Sequence, residues 1–363
     1  MFLKQISLIN FKNHAEFEAQ FSEKINCFVG NNGMGKTNLL DAIYYLSFCK
    51  SFFNAGDLQN IKHHQDFFVI KGNFEKFEEE SEVYCGIKRN QKKVFKKNKK
   101  EYSRLSEHIG QFPLVMISPS DAELINGISE VRRKFLDGII AQYNAPYLEK
   151  LIAYNQVLKQ RNALLKMFHE NHYFDAETLD IIDEQLCNAG RVILQTRLEF
   201  LKEFTPIFNK HYRFISNLHE EVSLHYENSL DERDFKTALM TSLARDRAVH
   251  HTTVGPHKDD LEFKINGYDL KKYASQGQQK SYLLALKLAQ FELIKQHKNT
   301  KPLLLLDDVY DKLDEERFTK LLEMVSSEDF GQVFITDTHP ERMHELLNQK
   351  KLAHKIFLVN RSA

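Results

Sequence analysis

Residues Gly30-Asn31-Asn32-Gly33-Met34-Gly35-Lys36-Thr37 fit the spacing G-x-x-x-x-G-K-[ST] at every fixed position. That spacing suits one task above others, which is holding a chain of phosphates. Phosphate oxygens must lie directly on backbone N–H groups, and side chains on the loop would keep them away. Lys36 can place a point charge on the β- and γ-phosphates, while the Thr37 hydroxyl can ligand a Mg²⁺ ion that bridges them. Carboxylates for the same chemistry stand far along the chain. Lys301-Pro302-Leu303-Leu304-Leu305-Leu306-Asp307-Asp308-Val309 reads as a buried strand ending in two acids, and active groups collect at the carboxyl ends of such strands. Asp307 would take the metal from the side opposite Thr37, leaving Asp308 to orient or deprotonate an attacking water. Ser275-Gln276-Gly277-Gln278-Gln279-Lys280 opens a helix that runs to about Gln296. Its first turn can bind an anion through free N–H groups and the positive end of the helix dipole, or simply cap the helix. His339 follows the apolar strand Gln332-Val333-Phe334-Ile335-Thr336, where it can sense a terminal phosphate or cap a turn.

These groups need strands and helices to hold them. Ile25-Asn26-Cys27-Phe28-Val29 reads as a short buried strand before the loop, and Asn38 to Leu46 repeats its apolar residues at helical spacing after it. Residues 2 to 29 alternate apolar and polar, broken at Asn13-His14, as two or three strands would. Phe67 to Ile70 and Val83 to Ile87 are further strands, the second leading into the basic run Lys88 to Lys100. Within that run, Lys92, Lys93, Lys96 and Lys97 either contact a nucleic-acid backbone or keep a sheet edge solvated. From about 120 to 245 the pattern turns helical, with long periodic stretches at 147–170, 177–204 and 233–247 that suggest a separate lobe, too short for long coiled-coil arms. Val254 to Phe263 is a turn entering a strand, and Asn266-Gly267 is the next hairpin turn.

Bulk properties narrow the function class. The 363 residues are 42% hydrophobic and 28% charged, which is ordinary globular composition and argues against disorder. Lys+Arg and Asp+Glu both number 50, so any nucleic-acid contact must come from a local patch rather than a global field. Cys27, Cys49, Cys85 and Cys187 are far apart and form no C-x-x-C pair, so neither a zinc ribbon nor a disulfide framework is indicated and a reducing cytosol suits them. His250, His251 and His257 match no standard metal spacing. No stretch approaches the roughly 18 apolar residues of a membrane helix, and the N-terminus lacks a signal peptide's apolar core.

In chain order, the phosphate loop, the distant Ser-x-Gly-x-x-Lys helix start and the strand ending in Asp-Asp resemble an ABC-type ATPase head. Within that class the sequence is similar to the RecF family of bacterial recombination and replication-repair ATPases, over essentially its whole length. Gly30 to Asn38 matches the family's G-x-N-G-x-G-K-T-N, and Ser275 to Lys280 matches its signature. Leu303 to Asp314 matches its acid-ended strand and following loop, with Asp311 where the family often has Ser. Val131-Arg132-Arg133-Lys134-Phe135-Leu136-Asp137 resembles the R-R-x-F-L-D element, with Ser129 where proline is usual, and Val254 to Asp260 resembles the G-P-H-x-D-D turn.

The resemblance implies an α/β fold: an ABC-type ATPase head (P-loop NTPase) with a mixed β-sheet lobe and a mainly helical second lobe, without a long coiled coil. The first lobe would comprise residues 1–110 and 285–363, and the second residues 111–284. It implies ATP and Mg²⁺ as cofactors and a homodimer in which Gly30 to Asn38 of one copy face Ser275, Gln276, Gly277 and Lys280 of the other. Asp311 and Asp314 would lie in a loop at the dimer contact. It further implies double-stranded DNA at gaps as the substrate, RecR and RecO as partners, recombinase loading as the outcome, and slow hydrolysis as a timer, since Asp308 is one methylene shorter than the usual Glu. Two other uses of a phosphate loop compete. A transporter's energy-coupling subunit would carry Asp-Glu-Pro rather than Asp307-Asp308-Val309, and a kinase or GTPase would carry a lid or an Asn-Lys-x-Asp base reader, which the sequence lacks.

Overall fold

The computed structural model describes residues 1–216, 220–230, 234–309, 315–349 and 353–360. The chain divides into two compact units, Met1–Asp121 with Lys280–Ala363, and Ala122–Gln279. The first break lies beyond the 110/111 boundary expected from sequence, because Leu114–Ile117 is a strand paired with Leu303–Leu306 and not the start of the helical lobe. The second break falls ahead of the expected 284/285 boundary, within the first turn of a long helix.

The first unit contains two sheets. One is antiparallel, in the order β2-β1-β4-β5-β6-β7, built from β1 (Phe2–Phe11), β2 (His14–Gln20), β4 (Phe67–Lys76), β5 (Glu79–Lys88), β6 (Val94–Lys97) and β7 (Lys100–Glu101). The other is parallel, in the order β14-β3-β13-β12-β8, built from β3 (Ile25–Val29), β8 (Leu114–Ile117), β12 (Leu303–Leu306), β13 (Val333–Asp337) and β14 (His354–Leu358). Sequence pattern separates the two. Every residue of β3, β8, β12 and β13 is buried, as covered parallel strands require, whereas β4 alternates buried and half-buried positions along most of its length. The mixed character expected of the lobe is therefore shared between two sheets.

Helix α1 (Lys36–Phe48) joins the sheets' cores. Leu39, Leu40, Ile43 and Leu46 share one cluster with Leu3, Leu8, Ile70 and Phe74 of the antiparallel sheet and with Phe28, Met116, Leu305 and Phe334 of the parallel sheet. A helix apolar around most of its circumference belongs in such a core. Each of those leucines contributes roughly 1.5–3 kcal/mol by leaving water, so the loop at the helix's start is anchored by a well-packed element.

The second unit is helical at its centre, with α2 (Glu123–Asn126), α3 (Ser129–Tyr143), α4 (Ala145–Glu170), α5 (Ala176–Ser216), α6 (Phe235–Val249) and α7 (Leu270–Tyr273). It also holds a three-stranded antiparallel sheet, β11-β10-β9, from β9 (Val222–Glu227), β10 (Asp260–Ile265) and β11 (Tyr268–Asp269). The expected Asn266-Gly267 turn joins β10 to β11, both residues having positive φ. α5 runs past the expected end at 204 to Ser216, with Pro206 inside it. The first turn of α8 (Gln276–Lys298) falls in the second unit and the remainder in the first. α9 (Glu315–Ser326) and α10 (Pro340–Gln349) complete the first unit's helices among the described residues.

One histidine in each unit, His108 and His257, is held neutral by the same arrangement. His108 has one ring nitrogen 2.7 Å from the Leu46 carbonyl and the other 3.0 Å from the Tyr102 hydroxyl, which suits a ring donating to the carbonyl and accepting from the hydroxyl. In the second unit, His257 repeats the arrangement with the Thr252 carbonyl and the Tyr154 hydroxyl. Burial pushes both imidazoles down to about 4. The unfolded chain therefore binds more protons below its ordinary histidine pKa. The stability contribution is complete above about pH 6.5 and is lost as pH falls from there toward 4. Between those limits each histidine is expected to cost up to about 1.4 kcal/mol per pH unit. Urea unfolding at pH 7, 6 and 5 should show that fall, with a shallower slope for His108→Gln.

Candidate nucleotide site

The phosphate loop leaves β3 and enters α1 at Gly35, which has φ 100° and caps the helix without any side-chain hydrogen bond; the helix's first turn carries no acid. Its leading N–H groups and positive dipole end thus meet no side-chain cap or first-turn carboxylate, which suits an anion. Lys36 is 5% exposed, and its ammonium donates to the carbonyls of Gly30 at 2.7 Å and Asn31 at 3.1 Å. The charge is held over the loop by acceptors that a phosphate can replace.

The glycines have different physical reasons. At Gly33, with φ 79°, a Cβ would meet no protein atom, so the left-handed backbone rather than crowding by the protein is what favours glycine there. At Gly30 and Gly35 a Cβ would collide with the protein itself, with the Val359 carbonyl in one case and with the Asn13 and His14 side chains in the other. Those two glycines admit a close approach of neighbouring segments, which corrects the view that all of them clear space for phosphate.

Asn13 and His14, noted in the sequence only as a break between strands, brace the loop. The Asn13 amide donates to the Met34 carbonyl at 2.9 Å and accepts from the Asn38 amide at 2.7 Å, and His14 lies 3.1 Å from the Gly35 carbonyl. Only the three-dimensional approach of the β1–β2 turn to the loop shows this role. The two polar residues at a hairpin turn were the available hint. Asn13→Ala removes two hydrogen bonds of about 1 kcal/mol each. It should weaken nucleotide binding about tenfold and lower stability by no more than the roughly 2 kcal/mol those bonds contribute, as titration calorimetry and denaturation would register.

The acid-ended strand arrives beside the loop. Register places Asp307 after Leu306, next to Thr336, and Thr37 donates to the Asp307 carboxylate at 2.8 Å while Thr336 donates to the same oxygen at 2.9 Å. Two residues 270 positions apart are brought into direct contact. Asp307 is 3% exposed; burial pushes its carboxyl above the usual range, and Asp308 pushes the same way against the Thr37 and Thr336 hydroxyls and Lys36. A buried carboxylate sharing a threonine hydroxyl is the oxygen donor set a hard divalent cation takes. Thr336 was not singled out in the sequence, although it stands where the register of β12 and β13 puts it against Asp307. Asp308 has φ 46°, a strained conformation for a residue with a side chain, and its N–H donates to the Thr336 hydroxyl at 2.9 Å.

His339 occupies the turn into α10. Its N–H donates to Asp337 at 2.6 Å, its ring is 2.8 Å from the Thr338 hydroxyl, and its side chain is 62% exposed. The backbone has the capping role, while the imidazole lies in solvent. Asp311 and Asp314 lie outside the described residues.

The Ser275 start of α8 belongs to the second unit. The Gln278 N–H donates to the Ser275 hydroxyl at 3.2 Å, and the Ser275 N–H donates to the Gln278 side chain at 2.6 Å, a reciprocal capping box. Ser275, Gln276 and Lys280 are exposed and Gly277 half-buried. The Val131–Asp137 and Val254–Asp260 elements meet inside this unit. Arg132 forms two 2.7 Å bonds with Asp260, Arg133 donates to the Asp259 carbonyl at 2.5 Å, and the buried Arg197 joins Asp137 to the Pro256 carbonyl. Both motifs thus take part in the unit's internal framework.

The basic run is less uniform than its sequence. Lys93 pairs with Asp57 at 2.6 Å, donates to the Cys49 carbonyl at 2.8 Å and lies over the Tyr45 ring. This corrects its grouping with the candidate DNA lysines, because its charge is already committed within the fold. Lys92 is exposed; Lys96 and Lys97 are half-buried, over the Tyr84 and Phe112 rings. The four cysteines are buried free thiols. No group of described residues could hold a metal through three or more His, Cys, Asp or Glu side chains, and no described helix is long and apolar enough to cross a membrane.

The family model described as the RecF/RecN/SMC N terminal domain matches residues 2–358. The chain is 52% identical to the DNA replication and repair protein RecF of Flavobacterium johnsoniae, over 98% of this chain and 99% of that one. It is 50% identical to the protein of the same name from Phocaeicola vulgatus, over 99% and 96%. Among solved structures it is similar to the recombination mediator protein RecF with ATP in the RecFOR pathway, with TM-score 0.87, 35% identity and coverage of 93% and 92%. The Smc head domain of Pyrococcus furiosus, with TM-score 0.57 and 14% identity over 99% and 94%, shares the fold.

Proposed function

Because the chain belongs to the RecF family of DNA replication and repair proteins, with an SMC-type ATPase head, we propose that it is an ATP-dependent DNA-binding switch of recombinational repair and replication restart. The observation that carries this reading is the Thr37–Asp307 hydrogen bond, which joins the phosphate loop to the acid-ended strand within one molecule. Gly30 to Asn38 would hold the phosphates of ATP, with Lys36 turning from the Gly30 and Asn31 carbonyls to the β- and γ-phosphates. Thr37 and Asp307 would hold Mg²⁺. Bound Mg²⁺–ATP supplies a transferable phosphoryl group whose charge the metal offsets. Asp308, held at positive φ by its bond to Thr336, would orient or deprotonate the attacking water. His339 would sense the terminal phosphate through its ring, which is 62% exposed.

The site is incomplete in one copy on this reading. Ser275, Gln276, Gly277 and Lys280 would complete it from a second copy, and the exposure of Ser275, Gln276 and Lys280 supports that role. A dimer closed by nucleotide would bind duplex DNA near single-strand gaps, work with RecR- and RecO-type partners in the cytoplasm to load recombinase, and part again on slow hydrolysis. Asp311 and Asp314 would belong to the dimer contact, and Lys92, Lys96 and Lys97 are the remaining candidates from the basic run for the DNA backbone. Light scattering tests the switch. Mass should double from 42.6 kDa on adding ATP, and Asp308→Asn should hold the doubled mass after wild type has returned to monomer. Equal masses for both proteins with and without ATP would refute it.

A further inference from the structure

The antiparallel sheet of the first unit has two unlike faces. Leu8, Phe68, Ile70, Cys85 and Phe95 point from one face into the core cluster that contains α1. On the opposite face, pairing register sets Ile9, Val69, Gly86 and Val94 in one row across β1, β4, β5 and β6, and Ser7, Lys71, Tyr84 and Lys96 in the next. Phe67 and Lys88 face each other one row further along β4 and β5. The outer face of such a sheet is ordinarily polar. Here Ile9 is 37% and Phe67 38% exposed, and neither they nor Val69, Tyr84 and Val94 belong to the core cluster.

Gly86 determines how Tyr84 lies. A Cβ at Gly86 would come within 2.7 Å of the Tyr84 hydroxyl oxygen and within 3.1 and 3.2 Å of two of its ring carbons. A ring that reaches two residues along its own strand lies along the sheet instead of standing off it. Each aromatic also has a lysine across the strand pair. The Lys96 ammonium is 5.9 Å from the Tyr84 ring centroid, and Lys88 is opposite Phe67. Lys71 is taken up by Glu82 at 2.8 Å, but Lys88 and Lys96 form no ion pair among the described residues, although Glu101 is opposite Lys96 in register. Lys92, exposed between β5 and β6, adds a third such cation. The acids Glu16 and Glu18 of this face stand on β2, at the far edge.

We propose that the β4, β5 and β6 side of this face binds single-stranded nucleic acid, with bases stacked on Tyr84 and Phe67 and phosphates on Lys88, Lys92 and Lys96. The inference rests on the DNA-binding reading above and adds where the unpaired strand of a gap would lie. Aromatic rings interleaved with cations suit unpaired bases, whose faces are free and which carry a phosphate each. A duplex hides those faces within its own stack and offers only edges and backbone. An acidic peptide would bring N–H and C=O groups onto apolar surface, where the sheet's own backbone groups are already paired strand to strand.

Fluorescence anisotropy of the full-length protein with labelled oligothymidylate, and with a duplex of the same length, tests this. Tyr84→Ala/Phe67→Ala should lower single-strand affinity about tenfold or more and leave duplex affinity within about twofold. Tyr84→Phe should keep the single-strand affinity, and Lys88→Glu should lower it several-fold and flatten its salt dependence. Unchanged circular dichroism and ATP binding would certify the fold of each variant. Wild type that binds duplex but not oligothymidylate, an aromatic variant that loses neither or loses both alike, or polyglutamate that displaces oligothymidylate at equal charge would each overturn the inference and leave the switch reading standing. Wild type that binds neither nucleic acid would overturn both.

Discussion

Lys36→Ala is expected to lower ATP affinity by about a thousandfold while leaving the protein folded. The ammonium is nearly buried and rests on two loop carbonyls. With phosphate present it would exchange those neutral acceptors for charged ones, each worth about 1.5–3 kcal/mol. Removing it forfeits both and leaves the loop's N–H groups to hold the phosphates alone. The fold should survive because α1 is anchored by Leu39, Leu40, Ile43 and Leu46 in the core of the first unit, not by Lys36. Calorimetric titration with ATP gives the affinity. A loss below about tenfold would mean that the phosphates do not reach Lys36.

Arg161→Ala should be the most damaging single change to the second unit. Arg161 is fully buried, donating to Asp183 at 2.5 Å, Asp246 at 2.6 Å and Thr252 at 2.9 Å. Asp246 is itself fully buried and also accepts from the Thr253 N–H at 2.9 Å. Truncating the arginine leaves two carboxylates facing a cavity without a cation. Breaking a buried pair in this way costs about 3–5 kcal/mol. Guanidinium unfolding should register that loss, with a smaller one for Arg161→Lys, which keeps the charge but not the fork. A change under about 1 kcal/mol would show that water enters and solvates the acids.

What could be read from sequence follows from how local each signal is. Gly30 to Thr37 and Leu303 to Asp308 are continuous runs whose chemistry and secondary structure are written in neighbouring residues, and the structure brings Thr37 and Asp307 together. Strands β8 and β14 are not marked in the sequence because, unlike the equally short β3, β12 and β13, neither runs into a glycine loop or an acid that signals a strand's end. β9 was hidden by its mixed polarity, Val222-Ser223-Leu224-His225-Tyr226-Glu227, with only one fully buried position. The brace from Asn13 and His14, the commitment of Lys93 to Asp57, and the need for glycine against Val359 are contacts between segments far apart in the chain. No local pattern encodes them. Ser275 is the opposite case, since its capping box with Gln278 is fully local.

The central claim is that each nucleotide site takes its loop from one copy and its signature from another. Mixing two defective variants tests it most directly. Lys36→Ala disables the loop and Ser275→Arg disables the signature, so with ATP each alone should remain at 42.6 kDa by light scattering. In an equimolar mixture, one heterodimer site combines an intact loop with an intact signature. The mass should then rise toward twice that value on adding ATP. A mixture that stays at the monomer mass, under conditions where wild type dimerises, would contradict the account.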